Sequence, residues 1–513
     1  MGIRLLPWTV AAARKLLSTT SVEAAEASSA EASSAAITTK FGGRKDGRPL
    51  YRRLSALGVA PEGSVAKTMN KWLREGRAVR VEELIKYVKE LRKYQRYRHA
   101  LELMDWMVKT RGVNLSYTNC AICLDLIGKV RGVKSAEEYF NGLPEPAKNE
   151  RTYGALLNCY CSAKMDNKAT ALYDKMKDLN ISSNTLVHNN LMSLHLKLKQ
   201  PEKVRSVFRA MKTHNIALDN LSYCMVMNSY ASQNDIEAVD GVIREMEEEG
   251  KLVIQWTAYS TLAAIYNSAG LFEKAESALK KLEGLIDGSS REPFHFLISL
   301  YAGARNLEEV KRVWKSLKAT FPKQTNLSYF IMLHALNKLD DFESMKECFD
   351  EWVSVQEVYD LRIANLMLGA YLQKDMEREA KAILEEADEK GLKADLRTCN
   401  LFMDYYLKKC KIAAAMEWLK VLALEIKDRT WKLDRERMET FFMHFEKEKE
   451  VAGAEKFCKI LKELGCINSK AYESLIRVYF VAGKKQPSLQ RRILDDKIKL
   501  DPEMHEMLET VSK

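Results

Sequence analysis

Apolar and polar positions along this chain repeat with a long, nearly constant period. A small or apolar residue followed by apolar residues four and seven places later begins at Ala100, with Met104 and Met107. Residues at those offsets share one face of a helix. The triplet returns at Ala136, Ala169, Val204, Val239, Ala275, Val310, Met345, Ala380, Ala415 and Ala454. Successive first positions lie 36, 33, 35, 35, 36, 35, 35, 35, 35 and 39 residues apart, too regular a series for chance. About sixteen residues ahead of each triplet runs a second apolar stripe, such as Tyr153, Leu156, Leu157 and Tyr160, or Tyr259, Leu262, Ala263 and Tyr266.

Each period is therefore two antiparallel helices. One such hairpin cannot bury both of its faces, so it must stack on its neighbours. The predicted fold is all-α, a right-handed superhelical solenoid of about eleven helix-turn-helix repeats over residues 81–482. Units start near 81, 117, 150, 185, 220, 256, 291, 326, 361, 396 and 435, and a last helix starts near 469. Turns such as Ala269-Gly270 close first helices, and Gly250, Gly391 and Gly465 close second helices. Residues 483–513 are expected to form a polar cap over the end of the stack. Composition agrees, since 513 residues contain only 23 Gly and 10 Pro, as helices joined by short turns require.

The N-terminus departs from the pattern. Up to Val22 it holds no acid, three basic residues and several Ser/Thr, and Ile3, Leu6, Val10, Ala13 and Leu17 share a helical face. That is the pattern of an organellar transit peptide, read as mitochondrial with the chloroplast as the alternative. Residues 23–40 are a low-complexity Ala/Ser/Glu linker. Residues 41–80 form a basic arm: eleven Lys/Arg against three acids fall within residues 40–80, whereas residues 81–513 carry a net charge of only +3. The arm, with Tyr51 and Trp72 among its charges, is a candidate for phosphate contact or for docking on an acidic partner.

Several function classes are disfavoured. The ten cysteines form no paired framework, and Cys120/Cys123 and Cys159/Cys161 lack the second ligand pair of a zinc site, so no metal is expected. No stretch reaches the roughly 20 consecutive apolar residues of a membrane helix. The eight histidines are scattered and no HExxH or GxSxG occurs. No catalytic residue, cofactor or small-molecule substrate is therefore expected.

The 35-residue units resemble the pentatricopeptide repeat (PPR). In that family the first helix opens on a V-T-Y-N-T-L-I-like run and the second reads A-x3-F-x2-M. The matching runs here are Arg151-Thr152-Tyr153-Gly154-Ala155-Leu156-Leu157, Leu221-Ser222-Tyr223-Cys224 and Leu396-Arg397-Thr398-Cys399-Asn400-Leu401, with Ala169 to Met176 and Val204 to Met211 in second helices. Leu50 to Leu54, Trp72 to Gly76 and Leu91 to Tyr94 are similar to the P-class mitochondrial members of plants.

The resemblance implies binding of single-stranded organellar RNA in a groove lined by first helices. Each unit would read one base with the residue after the Tyr-like position and the last residue of the unit. Asn189/Asp219, Asn365/Asp395 and Asn400/Asp434 carry the family's uracil-preferring combination. Ile85, Cys224 and Phe330 stand at the reader position without useful hydrogen-bonding groups, and the unit from Leu396 to Asp434 is four residues long of the rest. Asn and Asp at such places also serve as caps and turn residues.

Lysines recur near the ends of first helices, at Lys129, Lys197, Lys338 and Lys408, with Lys93 and Lys447 in the same place. Stacked units would align them into a row able to follow a phosphate backbone. A lysine in the last turn also complements the helix dipole. The near-neutral body and the minority of Asn/Asp units leave a second reading open, a scaffold attached to the mitochondrial ribosome.

Overall fold

The computed structural model describes residues 49–513 apart from 59, 183, 249, 251, 357 and 426–430. The transit peptide, the linker and the first part of the basic arm lie outside the described residues. The chain divides into two compact bodies, Met1–Pro293 and Phe294–Lys513, and each is described by itself.

In the first body α1 (Leu50–Ser55) and α2 (Ser64–Arg74) precede six hairpins. These are α3 (Val81–Lys93) with α4 (Tyr97–Arg111), α5 (Tyr117–Val130) with α6 (Val133–Asn141), and α7 (Glu150–Ser162) with α8 (Asp166–Asp178). They continue as α9 (Thr185–Lys197) with α10 (Pro201–Thr213), α11 (Asn220–Ala231) with α12 (Ile236–Glu248), and α13 (Trp256–Ser268) with α14 (Phe272–Glu283). The second body holds α15 (Glu292–Gly303) with α16 (Leu307–Thr320), α17 (Asn326–Lys338) with α18 (Phe342–Val355), and α19 (Leu361–Gln373) with α20 (Glu377–Glu389). It ends with α21 (Leu396–Lys408) and α22 (Ile412–Glu425), α23 (Arg435–Lys447) and α24 (Val451–Glu463), then α25 (Ser469–Ala482), α26 (Leu489–Asp495) and α27 (Pro502–Ser512). Eleven hairpins are thus formed, all helical among the described residues. First helices pack on first helices, as α5 on α7, α7 on α9 and α9 on α11 in the first body, and α17 on α19 and α19 on α21 in the second.

The buried positions explain the period. All eleven triplet anchors, from Ala100 to Ala454, are at most 1 % exposed. Where the anchor is alanine, its small side chain lets the second helix approach the first. A similar demand falls on Gly128 in α5, where an added Cβ would lie 2.3 Å from Cys159 Sγ on α7.

Hairpin turns repeat as strictly as the core. Gln95, Lys164, Lys199, Asn234, Arg305, Asp340, Asp375, Cys410 and Lys449 all take left-handed backbone angles, with φ between 53 and 61°. Gly132, Gly270 and Gly483 occupy the equivalent turns. Each of these left-handed residues ends a first helix. In most of them the next amide reaches back five residues, as Met165 N to Tyr160 O (3.0 Å), Gln200 N to His195 O (2.8 Å) and Met376 N to Tyr371 O (2.9 Å). This is the Schellman closure, and it satisfies carbonyls that the helix end would leave orphaned.

Many charges of the body are consumed between units. Lys274 and Lys281 on α14 meet Asp240 and Glu247 on α12, each at 2.7 Å. The same carboxylates accept from Tyr266 (2.6 Å) and Tyr259 (2.9 Å). Such exposed pairs each contribute about 0–1 kcal/mol.

Both ends of the array are capped by apolar contacts. Leu50, Leu54, Val65 and Met69 of α1 and α2 are buried. Arg53 donates to both Glu75 oxygens at 2.9 Å, and the Arg53 and Arg77 guanidiniums lie 4.9 and 4.7 Å from the Trp72 ring centroid. From Leu50 onward the segment is a folded cap, with Arg53 used internally. At the other end α25 packs on α27, Gln486 N donates to Val511 O (2.8 Å), and Leu489, Ile493, Met504, Leu508 and Val511 are buried.

Candidate nucleic-acid interface

Three of the expected pairs fall at junctions between consecutive first helices, and the local sequence explains how each is held. Asp219 is the N-cap of α11, its carboxylate accepting from Ser222 N at 2.8 Å while Ser222 Oγ accepts from Asp219 N, a reciprocal capping box. Asn189, on α9 and 1 % exposed, donates its Nδ2 to both Asp219 oxygens at 3.1 Å and accepts from Ser222 Oγ at 2.9 Å. The amide orientation is fixed by its partners.

The same device recurs in the second body. Asn365 on α19 donates to Asp395 Oδ1 at 3.1 Å and accepts from Thr398 Oγ1 at 2.8 Å, and Asp395 caps α21 through Thr398 N at 2.8 Å. His295 on α15 holds the equivalent place, its Nε2 2.9 Å from Ser328 Oγ. Sequence reasoning missed Ser222, Ser328 and Thr398. The signal was available in the spacing of the cap residue and the hydroxyl three places later.

Asn400 and Asp434 are joined differently. Asn400 donates to Leu396 O (2.7 Å) and its Oδ1 accepts from Arg437 Nη1 at 2.7 Å. Arg437 also grips both oxygens of Asp404 at 2.7 Å and lies 3.2 Å from Asp434. Residue 437 is Arg where the other two junctions carry Ser222 or Thr398, so a guanidinium replaces a hydroxyl and separates the amide from the cap. Helices α21 and α22 have ordinary lengths, and the unit's extra residues therefore lie between Glu425 and Arg435.

The expected lysines sit in the last turns of α5, α9, α17 and α21. Lys129 is committed to Asp125 at 2.8 Å and to the Tyr97 ring at 4.7 Å, and Lys197 reaches Cys161 O at 3.5 Å. Burial, and then the Arg305 charge, push the Lys338 ammonium below its ordinary value. Lys408 is exposed and makes no ion pair with a described residue. Asp125, whose side chain is 8 % exposed, also takes Arg92 (2.9 Å) and Asn158 (3.2 Å). Burial alone would raise its carboxyl, but the Lys129 and Arg92 charges and hydrogen bonds hold it below its ordinary value.

A cleft of about 490 Å³ runs over α3, α5, α7 and α9 to the start of α11, lined by Arg92, Asp125, Arg151, Asn158, Asn189 and Asp219. The small residues Ala121 and Gly154 leave it room; a Cβ on Gly154 would meet nothing within 4 Å. Polar groups therefore converge on an open, mostly apolar groove. Among the described residues no cluster could hold a metal and no helix is long and apolar enough to cross a membrane. Eight of the ten cysteines are buried and all are free. Burial pushes the Cys123 and Cys224 thiols up to about 11.

Stacked hairpins with a polar, repeat-spaced groove on their first helices define a helical-repeat binding protein. The chain belongs to the pentatricopeptide-repeat family. A family model described as PPR repeat matches residues 151–181, 187–216, 221–250 and 363–392, which include Asn189 and Asn365. A mitochondrial pentatricopeptide repeat-containing protein of Arabidopsis thaliana is 41% identical over 468 residues, 90% of this chain and 87% of the relative. A second is 39% identical over 499 residues, 97% of this chain and 98% of the relative. The large ribosomal subunit protein mL101 (rPPR4) of Arabidopsis thaliana is 43% identical over 468 residues, 91% of this chain and 95% of the relative.

Proposed function

We propose that this chain is a mitochondrial single-stranded RNA-binding protein acting in transcript stability, processing or translation, with Asn189/Asp219 and Asn365/Asp395 as base-reading pairs. The observation that carries this reading is the repeated amide–carboxylate pair, set once in each body by a hydroxyl three residues after the cap, Ser222 or Thr398. An oriented amide N–H can donate to a base carbonyl while the neighbouring carboxylate accepts from a ring N–H, a pattern suited to the Watson–Crick edge of uracil. Lys408 and Lys338 contribute phosphate attraction, whereas Lys129 and Lys197 mainly secure junctions. Asn400/Asp434 reads poorly because Arg437 occupies the amide oxygen. The reading is one of binding, with no reaction assigned to the chain.

A second reading is favoured by the likeness to mL101 across nine-tenths of both chains: a scaffold of the mitochondrial ribosome. Gradient sedimentation of mitochondrial lysate with and without RNase separates the two. Small RNase-sensitive particles support transcript binding, and comigration with a ribosomal subunit supports the scaffold.

A further inference from the structure

The unit between Asn326 and Asp360 puts Phe330 where its neighbours put His295 and Asn365. A phenyl ring cannot read a base edge, yet the surroundings are organised. His334, one turn further along α17, stacks with Phe330 at a centroid distance of 6.4 Å and an interplanar angle of 27°. The Arg362 guanidinium lies 6.0 Å from the centre of the Phe330 ring. Arg362 is not adrift: its Nε and Nη2 donate to the two oxygens of Asp360 at 3.0 and 2.6 Å. Asp360 is itself the N-cap of α19 and accepts from Arg362 N at 3.0 Å. The carboxylate that would otherwise join a reading pair therefore positions a cation against an aromatic ring. Phe330 is half-buried, His334 is exposed and the Arg362 side chain is 68 % exposed, so all three can be reached from solvent.

We infer that Phe330, His334 and Arg362 form a stacking site for one unpaired nucleobase, which grips RNA without regard to base identity. Aromatic rings and guanidinium planes stack on any base, because every base presents a π-face. The inference rests on the RNA-binding reading above and goes beyond it, since this unit would anchor the strand where the others select.

The test is fluorescence anisotropy of the full chain with single-stranded homopolymers of U, A and C at fixed salt. Phe330→Ala should weaken all three to a similar degree, by roughly 5- to 100-fold, and Phe330→Trp should restore binding. Arg362→Ala, whose side chain is largely solvent-exposed, should weaken all three by a smaller factor and serves as the variant least able to disturb the fold. Unchanged affinity in both Phe330→Ala and Arg362→Ala, or a loss confined to one homopolymer, overturns the stacking site alone. A wild-type chain that binds none of the three overturns the RNA-binding reading with it.

Discussion

The junctions at Asn365/Asp395 and Asn400/Asp434 follow one another in the chain and share the same register, but a guanidinium closes only the second. In the first, the Thr398 hydroxyl lies between the amide oxygen and the carboxylate, at 2.8 and 3.0 Å. In the second, Arg437 fills the same space with a guanidinium bound to Asn400 and Asp404. Identity at two positions does not define a reading pair. The residue three places after the cap decides whether the pair is open or closed. Asp125 shows a fully closed junction, with Arg92, Lys129 and Asn158 all on one carboxylate.

The largest expected effect lies at the closed end of this range. Asp125→Ala strands the buried Arg92 and should cost about 3–5 kcal/mol, read as a fall in the urea midpoint. The same carboxyl sets a pH dependence. Its folded value lies below its ordinary one, so its contribution is complete above about pH 5 and is lost as pH falls through the folded value. Wild type should lose stability in that acid range more steeply than Asp125→Asn, which circular dichroism across pH would show.

Ser222→Ala should cost about 1–3 kcal/mol, because it leaves the buried Asn189 oxygen unsatisfied and removes half of a capping box. If the pair is held as described, RNA affinity should fall as well, since Asn189 loses its fixed orientation. The smallest effect belongs to Asn400→Ala, which should change RNA affinity by less than about twofold. A large loss there would mean that Arg437 does not close the junction.

How much of this was legible in the sequence follows from what carries each feature. The hairpin period was legible because every anchor, such as Ala169 or Val310, must be small or apolar to be buried at the helix contact. The left-handed turns were mostly hidden, since Lys164, Arg305, Asp375 and Cys410 fill a role that sequence reading assigns to glycine. There the flanking helices impose the conformation, at a cost of about 1–3 kcal/mol each. The candidate pairs were found by position, but their state was not, because it depends on residues 30 to 37 places away that meet only after stacking. Arg53, counted within the basic arm, turned inward because its partner Glu75 lies on a segment that folds back against it.

The central claim is tested most directly by filter binding of wild type, Asn189→Ala, Asn365→Ala and Asn400→Ala to single-stranded RNAs that differ at one U. Asn189→Ala and Asn365→Ala should each lose about 1–2 kcal/mol on the matched RNA, with the preference for U erased at one position, while Asn400→Ala behaves as wild type. Equal affinity of all four proteins for every RNA would contradict base reading by these pairs.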